Sequence, residues 1–472
     1  MIVVLFSDVL VAAAPSDQVW NFDGDQHDAV TQDFSNEVGQ WEVVKDATAP
    51  SKDHVLAQLA KNSTSTFNVA LVRDTNMQDV DLAVSFKAVG GRIDQGGGLV
   101  WRANDANNYY IARYNPLEGN YRVYKVVEGR RTELGSADIA AVPGWHQLRV
   151  TMIGDHIRCY YDGSKYLDIH DDEFPASGQV GLWTKADAQT QFDDFRVSTT
   201  EHGLLWESSF TTTVPEIDGV VDDVWKRSKP LTVEVREAFG GDDPKSVVLR
   251  SVHNGERIYI LAQWPDTTRS DMRDPYVWNA AKSMYERPSK PDDQFALEFP
   301  LSGDFAVSML ALSRDFTADV WHWKAGRGNP AGWVDDKWHV ISQKPIENGR
   351  EYSLGGRGMV YVARLADEGT PSYVLQEAPE RFTGEVVDSF RSQTPSGSLA
   401  DVRGKGRHDG KGWTLEMSRR FNTHHDDDTT LNPNEGVLCA IAVLDDELYW
   451  QHSVSPLLEL RFLPRTTQHN RP

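Results

Sequence analysis

Few residues in this chain have the type and spacing that chemistry needs. In the run Ala318 to Arg327 (ADVWHWKAGR), strand alternation puts His322 and Lys324 on one face and Trp321 and Trp323 on the other. An imidazole that faces a slot can ligate a metal, whereas one opposite a packed tryptophan face points outward. Both orientations of His322 stay open at this level. His424 and His425, followed by Asp426, Asp427 and Asp428, have metal-capable chemistry in a turn-like run where solvation is the ordinary state. In the first half, Asp193 and Asp194 are adjacent acids of a kind usually spent on turns. Trp101, Tyr109, Tyr110 and Trp183 offer flat faces that could stack on a sugar ring or fill a core. No paired carboxylates and no Ser/His/Asp set can be placed. Cys159 and Cys439 stand alone and far apart, and there is no C-x-x-C-H, so a disulfide framework and a covalently attached haem are both excluded.

The elements that must position these residues read as β throughout. A chain of 472 residues exceeds a single core, and the expected division is a signal-like segment 1–17, a sandwich over 18–200 and a second sandwich over 201–472. The expected fold class is all-β, with two jelly-roll-like β-sandwich domains in tandem. Short β-rich runs recur between turn signals: Leu82 to Ala88, Tyr109 to Tyr114, Tyr121 to Val126, His146 to Met152 and Gly178 to Trp183. Phe192 to Val197 (FDDFRV) alternates as an antiparallel edge strand would. Val247 to Asp266 reads as a hairpin turning at Asn254 and Gly255.

Seventy acidic residues against 48 basic ones give a net charge of -22, a surface that repels nucleic acid and anionic lipid. The opening apolar stretch, Met1 to Pro15, ends in Ala12, Ala13 and Ala14 as a secretory signal does, although Asp8 interrupts it and no Lys or Arg precedes it. Export to the periplasm or the medium is the expectation. No segment approaches the roughly 20 apolar residues of a membrane span.

Two resemblances add to this reading. Gly97 to Arg102 (GGLVWR), Asp105 to Arg113 (DANNYYIAR), Pro143 to Leu148 (PGWHQL), Tyr161 to Gly163 (YDG) and Gly181 to Thr184 (GLWT) make the first half similar to the concanavalin-like sandwich of the 3-keto-disaccharide hydrolase family. The E-x-D-x-x-E strand of related glucanases does not occur. In the second half, Pro215 to Trp225 (PEIDGVVDDVW), expected as a strand that turns at Asp218 and Gly219, opens as family-nine carbohydrate-binding modules and ethylbenzene dehydrogenase-related haem domains do. Asp293 to Pro300, Ala318 to Arg327, Asp335 to Trp338 (DDKW), Asp401 to Arg419 and His452 to Pro456 then resemble the haem domain, in order.

That second resemblance implies a non-covalent haem b, held by a methionine and a lysine. Carried over, the methionine is Met309, on a strand over Phe305 to Leu312 (FAVSMLAL), and the lysine is Lys405, in G-K-G beside Arg403, Arg407 and Lys411. His322 is the substitute ligand, and His452 also stands in a matching segment. A lysine ligand must be neutral, which requires burial or the metal itself to lower its pKa. The implied function is exported electron transfer with a redox partner protein or cytochrome. The alternative is a glycan-binding protein; hydrolysis of 3-keto sugars by the first domain is a third reading.

Overall fold

The computed structural model describes residues 17–27, 29, 31–198, 204–237, 244–310, 314–353, 358–446 and 453–465. The signal-like opening up to residue 16, most of the expected linker and His452 lie outside the described residues. The chain is nearly all β, as its β-branched and aromatic runs require, with two sandwich units in tandem.

Strands between Asp17 and Ser198 form two sheets around one core that includes Phe86, Trp101, Tyr110, Leu148 and Phe192. One sheet runs from Ser164–His170 through His146–Ile153 and Val80–Gly90 to Trp41–Lys45; the other runs from Arg130–Asp138 through Gly97–Asp105 to Phe34–Val38. Gln189–Ser198 is not an edge strand. It pairs with Val80–Gly90 on one side and with His54–Gln58 and Asp17–Trp20 on the other. Alternation reports which face is dry, not whether a neighbour lies alongside, so the edge reading did not follow from it.

From Leu204–Phe210 onward, fourteen strands form one sheet that branches at Val437–Leu444, and the remaining short strands among the described residues form three small sheets of two or three strands. That strand pairs with Gln294–Gly303 along one part and with Leu458–Phe462 along another. The two wings share a core in which Trp264 stacks on Phe295 at 5.5 Å and Trp323 meets Trp413 edge-on at 4.9 Å. The hairpin read at Asn254 and Gly255 joins Lys245–His253 to Arg257–Pro265, with the Asn254 side chain accepting from the Glu256 and Arg257 amides. Pro215 to Trp225 is not a strand. Gly219 takes φ +80°, and the buried Glu416 carboxylate accepts from the amides of Asp218 (3.1 Å) and Gly219 (2.8 Å) and from Trp225 Nε1 (2.7 Å). Three donors to one buried carboxylate hold the segment as a loop, and Trp225 sits in the short 3-10 turn Asp223–Arg227.

Candidate functional site

The strands Gln294–Gly303, Phe316–Lys324, Asp335–Ser342 and Val437–Leu444 bury both faces. One face, with Phe295, Trp321, Trp323 and Ile441, belongs to the tryptophan-rich core. The other carries Phe316, Ala318, Val320 and Leu438 into a second core, which continues into a cavity of about 390 Å³. Ligand sites typically enclose about 300 to 1,000 Å³, so this volume suits a small organic ligand or cofactor. The two orientations left open for His322 are therefore not exclusive. The tryptophans do pack into a core, and His322 faces a cavity.

Met309 and His322 line this same cavity. Met309 is not on a strand: residues 305–310 form bends and a turn after Gly303. Phe305 and Ala306 anchor that turn in the second core, while Val307, Met309 and Leu310 lie half-buried against the cavity. An apolar run can be satisfied by such a lid as well as by a strand. Lys405 is not among the residues lining the cavity. It lies half-buried on the strand Arg403–His408, where its Nζ donates to the Asn329 carbonyl at 2.9 Å. Burial, followed by the charge of Arg407, lowers its pKa. The neighbouring glycines explain the G-K-G spelling. A Cβ on Gly406 would stand 2.5 Å from the Trp323 ring, and one on Gly404 would stand 2.3 Å from Val334.

Sequence reasoning missed Lys337, His339 and Glu298, which share the cavity wall. Alternation through Asp335–Ser342 puts Lys337 and His339 in phase, and antiparallel pairing with Phe316–Lys324 puts them on the His322 face. Lys337 Nζ lies 2.5 Å from His322 Nδ1. Burial, and then the charge of Lys324, holds the Lys337 amine well below the usual lysine range. Burial, and then the charge of Lys337, does the same to both imidazoles. His322 and His339 are therefore neutral. Among the described residues nothing hydrogen-bonds His322 Nε2 or either ring nitrogen of His339, although all three atoms are buried. Glu298 makes no hydrogen bond or ion pair there either, and burial alone pushes its carboxyl up to about 8.

The remaining polar wall is cationic. Arg327 forms a bidentate pair with Asp292 at 2.8 and 3.1 Å, and Lys324 bonds both the Asp335 carboxylate and the Tyr373 hydroxyl. Arg364 donates to the Tyr352 hydroxyl at 2.8 Å, with Arg350 and Arg364 both over the Tyr352 ring. Ala296, Val320, Ala442, Leu444 and Val454 supply apolar walls. Chemically this is a half-apolar slot with a thioether, two neutral imidazoles and a basic rim.

Residues 222–454 match the family model of ethylbenzene dehydrogenase. That span contains the whole cavity, so the site lies in the part of the chain that is similar to an oxidoreductase family. No curated protein matches the chain. Solved structures with a similar fold include a carbohydrate-binding module from Bacillus subtilis, at 18% identity over 35% of this chain and 96% of that one, with a TM-score of 0.30. A laminarinase from Rhodothermus marinus aligns at 13% identity over 40% of this chain and 98% of that one, also with a TM-score of 0.30. A protein of unknown function with a galectin-like fold, from Bacillus subtilis, aligns at 11% identity over 35% of this chain and 89% of that one, with a TM-score of 0.27.

The aromatics and the acid pair singled out in the first half serve its packing. Trp101, Tyr109, Tyr110 and Trp183 are all buried, with Trp101 stacked on Tyr110 at 5.5 Å and Trp183 Nε1 donating to the Tyr109 hydroxyl at 3.1 Å. Asp193 accepts from the Ser51 amide and hydroxyl and from the Asp194 amide. Asp194 takes φ +46° in a bulge, so this acid pair shapes a strand. No helix among the described residues is long and apolar enough to cross a membrane.

Proposed function

We propose that the second unit binds one non-covalent haem b in the cavity under Met309 and exchanges electrons with a partner redox protein outside the cytoplasm. The observation that carries this reading is the set of orphaned, neutral imidazole nitrogens in a cavity that also holds a thioether. A buried ring nitrogen without a partner costs free energy unless a ligand takes it up. Thioether and neutral imidazole are among the donors that haem iron accepts. When bound, the haem would supply one-electron chemistry at a potential set by its ligands and surroundings.

The chain's own residues would do the holding. Met309 and His322 are the proposed iron ligands, with His339 as the second imidazole in reach of the cavity. Lys337 is the positioning residue. A neutral amine at Lys337 would accept a hydrogen bond from His322 Nδ1–H, and that tautomer leaves the Nε2 lone pair for a metal. The neutrality required of a ligand lysine is thus met near the site by Lys337, while Lys405 is engaged elsewhere. Arg350, Arg364 and Lys324 give the rim the charge that carboxylate side arms need.

Titration of the full chain with haemin tests this. The expected result is a shifted Soret band saturating at one haem per chain, a low-spin reduced-minus-oxidised spectrum, and loss of that low-spin form in Met309→Ala and His322→Ala. Lys337→Met should weaken haem retention and alter the spectrum, and Lys405→Ala should leave it unchanged. An unshifted Soret band with the wild-type chain would sink the proposal, as would low-spin spectra that persist in both ligand variants.

A further inference from the structure

On the opposite face of the same strands lies a second group of buried acids that haem binding would not use. Asp319 is on Phe316–Lys324, and Asp336 is on Asp335–Ser342, directly opposite Trp321. Asp367 follows the strand Met359–Ala366, and Asp428 lies in the loop after Phe421. Asp319 and Asp336 are 0% exposed, and Asp367 and Asp428 are 5% exposed. Their close cationic partner is Arg419, stacked over Trp321 at 4.8 Å. It donates to Asp319 Oδ2 at 2.6 Å and Asp428 Oδ1 at 2.8 Å, and the Thr429 amide also donates to Asp319 Oδ2.

These bonds use one oxygen of Asp319 and one of Asp428 and leave the rest. Asp319 Oδ1, Asp428 Oδ2, both oxygens of Asp336 and both of Asp367 are buried without a hydrogen-bond partner among the described residues. Asp336 is the sharpest case, a fully buried carboxyl with neither oxygen satisfied. One carboxylate oxygen each from Asp319, Asp336 and Asp428 lies within 4.8 Å of the others. Oxygens sharing a calcium ion stand about 2.3 to 2.6 Å from it and therefore up to about 5 Å from one another. An all-oxygen donor set also selects a hard cation over zinc or copper.

We propose that Asp319, Asp336 and Asp428, with the buried Asp367 beside them, form a structural calcium site that ties the loop after Phe421 to the sheet. The ion would offset four carboxylates that Arg419 alone leaves three charges in excess. Asp428 and Asp367 approach the surface beside the half-buried Asp427 and the exposed Asp426, so the cation would enter from the H-H-D-D-D loop.

The test uses the full chain, stripped with chelator and dialysed. Calcium titrated by calorimetry should bind at one ion per chain, and the melting temperature should rise with added calcium and fall back with chelator. Magnesium, which keeps its waters, should raise it less. Asp336→Asn and Asp367→Asn should each weaken calcium binding at least about tenfold, a loss of about 1.4 kcal/mol, while Asp426→Asn should not. If a variant fails to fold, the wild-type stoichiometry still decides. A stripped wild-type chain that neither binds calcium nor changes its melting temperature overturns the proposal, as does an Asp336→Asn variant that melts higher than wild type and keeps its calcium response. Haem spectra are read separately, so failure at one site is distinguishable from failure at the other.

Discussion

At the scale of single residues, the cavity chemistry depends on which groups are left neutral. Glu298 is the clearest. Burial lifts its carboxyl from 4.5 to about 8, with no partner among the described residues to hold the charge. An acid whose folded pKa is raised contributes stability that is fully present below its unfolded value and is lost as pH rises through the folded one. Stability of the chain without haem should therefore decline between about pH 4.5 and pH 8 through this residue. Glu298→Gln should match wild type near pH 5 and melt higher than wild type above pH 8; pH-resolved thermal melts check it, and equal melting temperatures at both values would refute it. His322 was legible in the sequence because D-V-W-H-W-K alternates so plainly. Glu298, Lys337 and His339 were not, because a charged residue on a strand reads as solvent-facing when the strand's second buried face is unknown. That second face becomes visible only when the turn over residues 305–310 and the neighbouring strands close over it.

At the scale of elements, strands and hairpins were the most legible part. Runs such as Tyr109 to Tyr114 and the Asn254, Gly255 turn are local signals that tertiary structure did not override. Two segments read as strands are not. Pro215 to Trp225 is captured by the Glu416 carboxylate, 191 residues from Trp225 in sequence, and residues 305–310 become a lid. Both outcomes depend on partners remote in the chain. The G-K-G segment shows the same limit. Its glycines fit Trp323 and Val334, and Gly406 is further tied by its amide to Asn329 Oδ1 at 2.7 Å, the oxygen that also accepts from Trp323 Nε1 at 3.1 Å. Gly406→Ala should push Cβ into the Trp323 ring and destabilise the second unit by about 1 to 3 kcal/mol. Denaturant unfolding measures this, together with the tryptophan fluorescence of the Trp264, Trp323 and Trp413 cluster. Since Trp323 and His322 are consecutive, the variant should also weaken haemin binding, whereas Lys405→Ala should do neither.

At the scale of the whole molecule, a buried ionic junction joins the two units. Ile153 of the first sits in the core of the second with Phe305 and Phe316, and Arg149 reaches Asp304 at 3.0 Å. Beside this contact, His156 Nδ1 bonds Glu459 at 2.6 Å, its Nε2 bonds Asp168 at 2.5 Å, and Arg158 lies 3.2 Å from Glu459. Burial opposes the charge on His156, but the Asp168 and Glu459 carboxylates outweigh it and raise the imidazole pKa above 6.5. Burial likewise opposes ionisation of Glu459, yet His156 and Arg158 bring it down from 4.5 to about 2. The signs differ. The raised histidine stabilises fully below 6.5 and loses that contribution as pH climbs through its folded value; the lowered glutamate stabilises above 4.5 and loses its contribution as pH falls towards about 2. The junction should therefore be strongest between about pH 4.5 and pH 6.5. Glu459→Gln leaves two buried cationic groups short of a counter-charge and should cost about 3 to 5 kcal/mol in that window. The deficit should shrink at higher pH, where His156 is neutral in wild type as well. Thermal melts of wild type and Glu459→Gln across pH 4 to 9, with proteolysis between the units as a second readout, should show this narrowing. A deficit that stays constant with pH would mean that Arg158 alone carries the junction.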